Sequence, residues 1–352
     1  METFSACSTH SLFLSNDHVV YGSGLENEHF ETTNVPTKMP FPVDMRSVHA
    51  GKSCSICLDF DGNAWALGSS AQGQLGMKER AEKPTKLENL PPIQSVAFGG
   101  MYFSLFLDVN GNVWSTGSNV YGQLGNGDTT MRLSPSRIEN IPKMTAISAG
   151  RYHSILLSET GEVWGCGYND SWQVLTLPAQ KILKPVRTDI SVPITEVNCG
   201  NEHTLFLDVD GNVWGCGKNN YGQLGIGERT DRPYGVHKIE QLSEIVQVAG
   251  SQIGSSFLDK GGNVWTCGCT SSFQASSNLP VKCLELTDII SMSTSSHFLF
   301  MDVNGSIWGT GENMRGQLGL GDYKDRKTLQ KIESLPLIKP PRSFTPLKSA
   351  RK

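Results

Sequence analysis

Seven times along the chain, a run of five or six mostly apolar residues begins eleven positions before an aromatic residue. The runs start at His10, Cys54, Phe103, His153, His203, Gly254 and His297 (HSLFLS, CSICLD, FSLFLD, HSILLS, HTLFLD, GSSFLD and HFLFMD). The aromatic anchors are Tyr21, Trp65, Trp114, Trp164, Trp214, Trp265 and Trp308, spaced by 44, 49, 50, 50, 51 and 43 residues. Between run and anchor lies a glycine turn such as DGN at 61–63 or NGN at 110–112. Asp-Gly or Asn-Gly between apolar runs is the strongest short hairpin signal. Past the anchor come a W-x-x-G ending, a glycine loop (AQGQLG at 71–76, YGQLG at 121–125 and 221–225, RGQLG at 315–319) and a Pro-containing stretch leading into the next unit. No helical periodicity interrupts the pattern. Each unit therefore predicts one small antiparallel sheet of short strands.

One such sheet cannot bury both of its faces. Stacking sheets radially solves this and leaves only short, protected edges. The expectation is an all-β, seven-bladed β-propeller of about 50-residue repeats spanning residues 1–338. The repeat is too long for a solenoid of 20–35 residues. It has no Trp-Asp dipeptide, and its double glycines at 99–100 and 261–262 do not recur in phase. The last repeat ends LPLI at 335–338, in phase with LPPI at 90–93, and Phe4 falls in phase with Val96. The N- and C-terminal segments should thus meet and close the ring, with Ile338 beside residues 1–4. Residues 339–352 carry five basic residues, no acid and several prolines, and are expected to form a disordered tail.

Composition adds limits. The 37 glycines suit many tight turns. Net charge is −4, which argues against nucleic acid as the main partner of the body and leaves at most a weak contact through the basic tail. No apolar run of about 18 residues could span a membrane. The first residues lack the basic start and apolar core of a secretory signal. Nine cysteines, an odd number, point to reduced thiols in the cytoplasm or nucleus.

Chemistry is sparse. His10, His153, His203 and His297 share one repeat position, but Cys54, Phe103 and Gly254 occupy it too, so a buried, hydrogen-bonded histidine explains them better than a ligand ring. Cys166, Cys216 and Cys267 share another position with Leu67, Thr116 and Thr310, and read as packing residues. Cys54 and Cys57 have redox or zinc spacing but lie within a strand and lack a second pair. YGQLG has no G-K-[ST] and no following helix, so it is no phosphate loop. Asp59, Asp108, Asp208, Asp259 and Asp302 read as turn formers. On these grounds no catalytic residue, cofactor or metal site is expected, and the chain is expected not to be an enzyme.

The combination H-S-L-x-L, G-x-V-W-x-x-G and Y-G-Q-L-G, once per fifty residues, resembles the regulator of chromosome condensation repeat family over residues 1–338. The resemblance implies a seven-bladed propeller. It also implies two functions between which the residues leave the choice open. One is a non-catalytic protein–protein interaction propeller. The alternative is guanine-nucleotide exchange on a Ran-like small GTPase, as the founding member performs. No outlying repeat spacing marks an inserted exchange wedge, which favours the interaction reading. The candidate partner-binding residues are His29, Trp172 and Phe273, which stand where other blades have the loop glycines Gly73, Gly122, Gly222 and Gly316. An aromatic side chain should not keep a turn that glycine makes at positive φ. These loops should therefore re-form, with the aromatic group either turned inward or exposed to a partner.

Overall fold

The computed structural model describes residues 3–24, 33–100, 102–175, 179–231, 233–269, 276–336 and 338. Among them, 28 strands form seven four-stranded antiparallel sheets and there is no helix. In each sheet the strands follow chain order from the centre outwards. The third blade, for example, is Ile93–Gly99, Phe103–Asp108, Val113–Gly117 and Arg132–Arg137. This is the seven-bladed propeller that the repeat implies. Its hairpins define two faces. The turn face carries the glycine turns between second and third strands. The loop face carries the turns between inner and second strands and the glycine loops between third and outer strands.

The core lies between blades. Ile56, Leu58 and Leu75 of the second blade pack with Ile93, Val96 and Phe106 of the third, and Trp114 covers the edge of that cluster. Burying a Phe, Leu or Ile side chain is worth about 1.5–3 kcal/mol each, so the seams hold most of the stability. The anchor indoles are themselves half-buried. Trp65 Nε1 donates to Asp59 Oδ2 at 2.9 Å, and Trp114, Trp214, Trp265 and Trp308 repeat the bond with Asp108, Asp208, Asp259 and Asp302. The turn aspartates thus also fix the indoles. Burial alone would raise the Asp59 carboxyl, but bonds from Trp65, Asn63 and the turn amides bring it below the usual range. The fourth blade has Ser158 instead, and Trp164 Nε1 has no partner. Across from every anchor the outer strand places a cation: Lys38, Lys86, Arg137, Arg187, Lys238, Lys282 or Lys331.

The shared histidines clamp blade to blade. His153 Nε2 lies 3.1 Å from Thr204 Oγ1 in the next blade, and that hydroxyl donates to Gln173 O at 2.7 Å. Because the hydroxyl proton is committed to the carbonyl, Thr204 must accept from His153 Nε2–H, and the imidazole is neutral. His203 with Ser255 and Gln223, and His297 with Ser11 and Gln317, repeat the chain of bonds. Burial holds His153 and His297 down to about 3 and His203 to about 4. Between the sixth and seventh blades both members change together: Gly254 replaces the histidine and Phe298 the hydroxyl, and both are buried. The clamp is there exchanged for an apolar filling.

The ring closes between the two ends of the chain. Phe4 and Phe13 share one core cluster with Ile290, Leu299 and Ile338. Ile338 crosses Gly305 as Ile93 crosses Gly62 and Ile194 crosses Gly161, so it takes the place of the first inner-strand residue of the first blade. Residues Phe4–Ala6 then pair with His10–Leu14 of the same blade. Ser11 bonds both His297 and Gln317 across the seam, and Ala6 N donates to Ser293 Oγ at 3.0 Å. The tail 339–352 lies outside the described residues.

Candidate functional site

Each described glycine loop braces itself. In the third blade Asn119 Oδ1 accepts from Leu124 N and Gln123 Oε1 from Tyr121 N. The same Asn and Gln pair recurs as Asn169 and Gln173, Asn219 and Gln223, and Asn313 and Gln317. The loop glycine sits at positive φ and against the outer strand of the next blade. A Cβ on Gly122 (φ +82) would stand 2.9 Å from Leu183 Cα, and one on Gly222 (φ +81) 2.6 Å from Asn278 Cα.

The fourth blade corrects the expectation that an aromatic residue forces this turn to re-form. Trp172 keeps the left-handed conformation at φ 64, followed by Leu175 at φ 53. The turn bonds survive: Trp172 N to Asn169 O at 3.1 Å and Leu175 N to Trp172 O at 3.2 Å. The left-handed region costs a non-glycine residue roughly 1–2 kcal/mol. Two features make it tolerable. The Asn169–Gln173 brace is retained, and the outer strand of the next blade is cut to His237–Lys238, which clears the space a Cβ would otherwise meet. Tyr234 occupies that ground, 76% exposed, with its ring edge-on to half-buried Trp172 at 4.7 Å. The indole is thus neither folded into the core nor free. It backs an exposed tyrosine on the rim of the loop face. His29 and Phe273 lie outside the described residues.

Further aromatic groups share this face. Tyr121, Tyr152 and Tyr168 form an edge-to-face cluster with centroids 4.7, 4.8 and 6.3 Å apart. Cations stand over the rings: Lys181 over Tyr121, Arg151 over Tyr152, and Lys52 over Tyr102, at 5.0 to 5.2 Å. Glu202 ties Arg151 and Lys218 together at 3.6 and 2.7 Å. Burial and the neighbouring Asp170 carboxylate push the Tyr168 phenol up. At the centre of the same face the channel opens into a cavity of about 380 Å³, floored by Gly51, Gly99, Gly150, Gly200 and Gly250 and edged by Lys52 and Arg151. Among the described residues no cluster of His, Cys, Asp and Glu could hold a metal ion. None of the nine thiols is paired in a disulfide, and no helix of the described residues could cross a membrane.

Two family models, both described as the regulator of chromosome condensation (RCC1) repeat, match this chain. One covers residues 61–106, 110–157 and 210–257, the other 93–123, 144–173 and 194–223. The chain belongs to the regulator of chromosome condensation repeat family. Within the family it is 33% identical over 107 residues to the regulator of chromosome condensation of Xenopus laevis, covering 26% of this chain and 25% of that protein. It is 34% identical over 128 residues to the ultraviolet-B receptor UVR8 of Arabidopsis thaliana, covering 32% and 28%. The chain thus aligns to only about a quarter of the length of its curated relatives. In fold the likeness covers far more. Prp20p of Saccharomyces cerevisiae, whose structure was described with its binding properties to Gsp1p and histones, superposes with a TM-score of 0.80 at 19% identity, over 92% of this chain and 87% of that one. Human WBSCR16 gives 0.76 at 21%, over 85% and 84%.

These likenesses correct the expectation that the chain is not an enzyme. The yeast RCC1 (Prp20) propeller, solved bound to Kap60, matches in fold over 91% of this chain at 19% identity. The physical reason for the error is plain. The exclusion rested on missing nucleophiles, bases and metal ligands, and nucleotide exchange uses none of them.

Proposed function

We propose that this propeller is a guanine-nucleotide exchange factor acting on a Ran-like small GTPase through its loop face. The observation that carries the reading is the match of nearly the whole described propeller to Prp20, the protein characterised for binding Gsp1p. The chemistry of the face supports it. Exposed Tyr234 backed by Trp172, and the cation-capped tyrosines of blades 3 and 4, are of the residue types that anchor protein interfaces. His29 and Phe273 are proposed to contribute from the corresponding loops of the first and sixth blades.

Exchange needs no covalent step. A factor that binds the nucleotide-free GTPase more tightly than the loaded one must, by linkage, weaken nucleotide affinity by the same ratio. A rigid disc suits this, because its binding energy goes into deforming the partner rather than itself. The location that fits is cytoplasmic or nuclear. The test is release of fluorescent GDP from a Ran-like GTPase and from a panel of other small GTPases. Acceleration of at least tenfold with one of them is expected at micromolar propeller. Unchanged release across the panel would overturn the reading.

A further inference from the structure

At the head of the second strand the fold leaves an imidazole nitrogen bare. In His153, His203 and His297 the Nδ1 atom is buried and accepts no hydrogen bond. In the fourth and fifth blades the residue facing that nitrogen is Gly150 or Gly200, where even a Cβ would stand 2.4 Å from Nδ1. The first blade has a cysteine at this place. Cys7 N bonds His10 O at 3.0 Å, just as Gly150 N bonds His153 O and Gly200 N bonds His203 O. Its Sγ lies 3.1 Å from His10 Nδ1 and 3.4 Å from Thr9 Oγ1. On the far side of the ring His10 Nε2 meets Ser55 Oγ at 2.9 Å. Cys7 also lines the cavity at the channel mouth, a space that small molecules can enter, with His10 buried behind it.

We propose that Cys7 and His10 form an activated thiol that captures small soft electrophiles entering at the channel mouth. The inference rests on this geometry and not on the exchange activity. A thiol becomes nucleophilic as its thiolate, and a neighbouring imidazole is a common means of lowering its pKa. Here the S–H proton passes to His10 Nδ1 while Nε2–H stays on Ser55. The thiolate then attacks the electrophilic carbon. With iodoacetamide the S–C bond forms, the C–I bond breaks, iodide leaves, and the imidazolium returns its proton to water. The other buried thiols differ. Burial pushes Cys166 and Cys199 up to about 12, and Cys166 Sγ points at Gln123 O rather than at a base.

The experiment labels the full chain with iodoacetamide between pH 5.5 and 9, with free cysteine as comparator, and reads each of the nine cysteines by peptide mass. Cys7 is expected to react about fivefold or more faster than free cysteine at pH 6, and to change less than threefold between pH 6 and 8. An ordinary thiol of pKa about 8.5 gains about tenfold per unit over that range. His10→Gln should restore the steep profile at Cys7. His203→Gln removes an equivalent interblade bond, to Ser255 at 3.0 Å, far from the thiol, and should leave the Cys7 profile flat. The proposal falls if wild-type Cys7 follows the free-thiol profile or stays unlabelled in the folded chain. It also falls if His203→Gln alters Cys7 as much as His10→Gln does, since the histidine would then act only by holding the blades together.

Discussion

The interblade clamp makes an asymmetric prediction. Thr204→Val keeps the side-chain shape and removes one hydroxyl. That hydroxyl accepts from His153 Nε2–H and donates to Gln173 O, and both His153 and Thr204 are fully buried. The substitution therefore strands the His153 donor and leaves Gln173 O only the weak S–H bond from Cys216 at 3.6 Å. Each orphaned buried group costs about 1–3 kcal/mol, so the variant should lose about 3 kcal/mol. His153→Phe is the gentler change. The chain already holds Phe103 at this position, beside Ser154, whose hydroxyl still donates to Gln123 O at 2.6 Å. With Gly150 leaving the ring its space, the cost should be about 1 kcal/mol or less. The double variant then leaves only the weakened carbonyl, so adding His153→Phe to Thr204→Val should recover about 1–2 kcal/mol. Urea unfolding followed by tryptophan fluorescence measures all three, with equal m-values as the condition for comparing them. Equal losses in the two single variants, or strictly additive losses in the double, would refute the clamp as described.

Stability should also fall steeply in mild acid. Unfolded histidine titrates near 6.5, whereas burial keeps His153, His203 and His297 neutral down to about 3 or 4, so from pH 6.5 downwards the unfolded chain binds protons that the folded one refuses. Burial lifts Glu196 to about 7, which offsets one of these protons between pH 7 and 4.5; the net of about two gives a slope of about 3 kcal/mol per unit near pH 5.5, and a flat unfolding free energy from pH 7 to 5 would contradict it. Trp172→Gly should leave the melting temperature unchanged or raise it, because it relieves a left-handed tryptophan, while reducing GTPase exchange or capture; a drop of several degrees would make Trp172 a core residue. Trp164→Phe should cost less than Trp214→Phe by about 1 kcal/mol in the same unfolding assay, since only the latter indole has an aspartate to lose.

The strands, the blade count and the meeting of the chain ends were legible because they follow from a strict period. Fifty-residue spacing and period-two alternation constrain geometry without knowledge of any neighbour. What depended on a neighbour was harder to see. The histidines' structural role could be read from substitution at their own position, but the clamp could not, because its second half lies one repeat later. The joint change of Gly254 and Phe298 was the available signal. The conformation of the Trp172 loop was misread for the same reason. It was read as lost with the glycine, yet the brace from Asn169 to Gln173 is visible in the sequence as a repeated N-x-x-x-Q. The space that admits the indole comes from a shortened strand some sixty residues away. The error over enzymatic activity was different in kind: a search for reactive groups cannot detect a function that works by binding alone.

The changed seam between the sixth and seventh blades has a consequence for building with this protein. Each contact is written half in one repeat and half in the next, so a blade cut out at its own boundaries carries two unmatched halves. Grafting the seventh blade behind one that carries the shared histidine would press Phe298 against an imidazole that needs a hydroxyl. The transplantable module is therefore offset from the visible blade. It runs from the middle of one sheet to the middle of the next, and chimeras or inserted extra repeats should be spliced inside blades rather than between them.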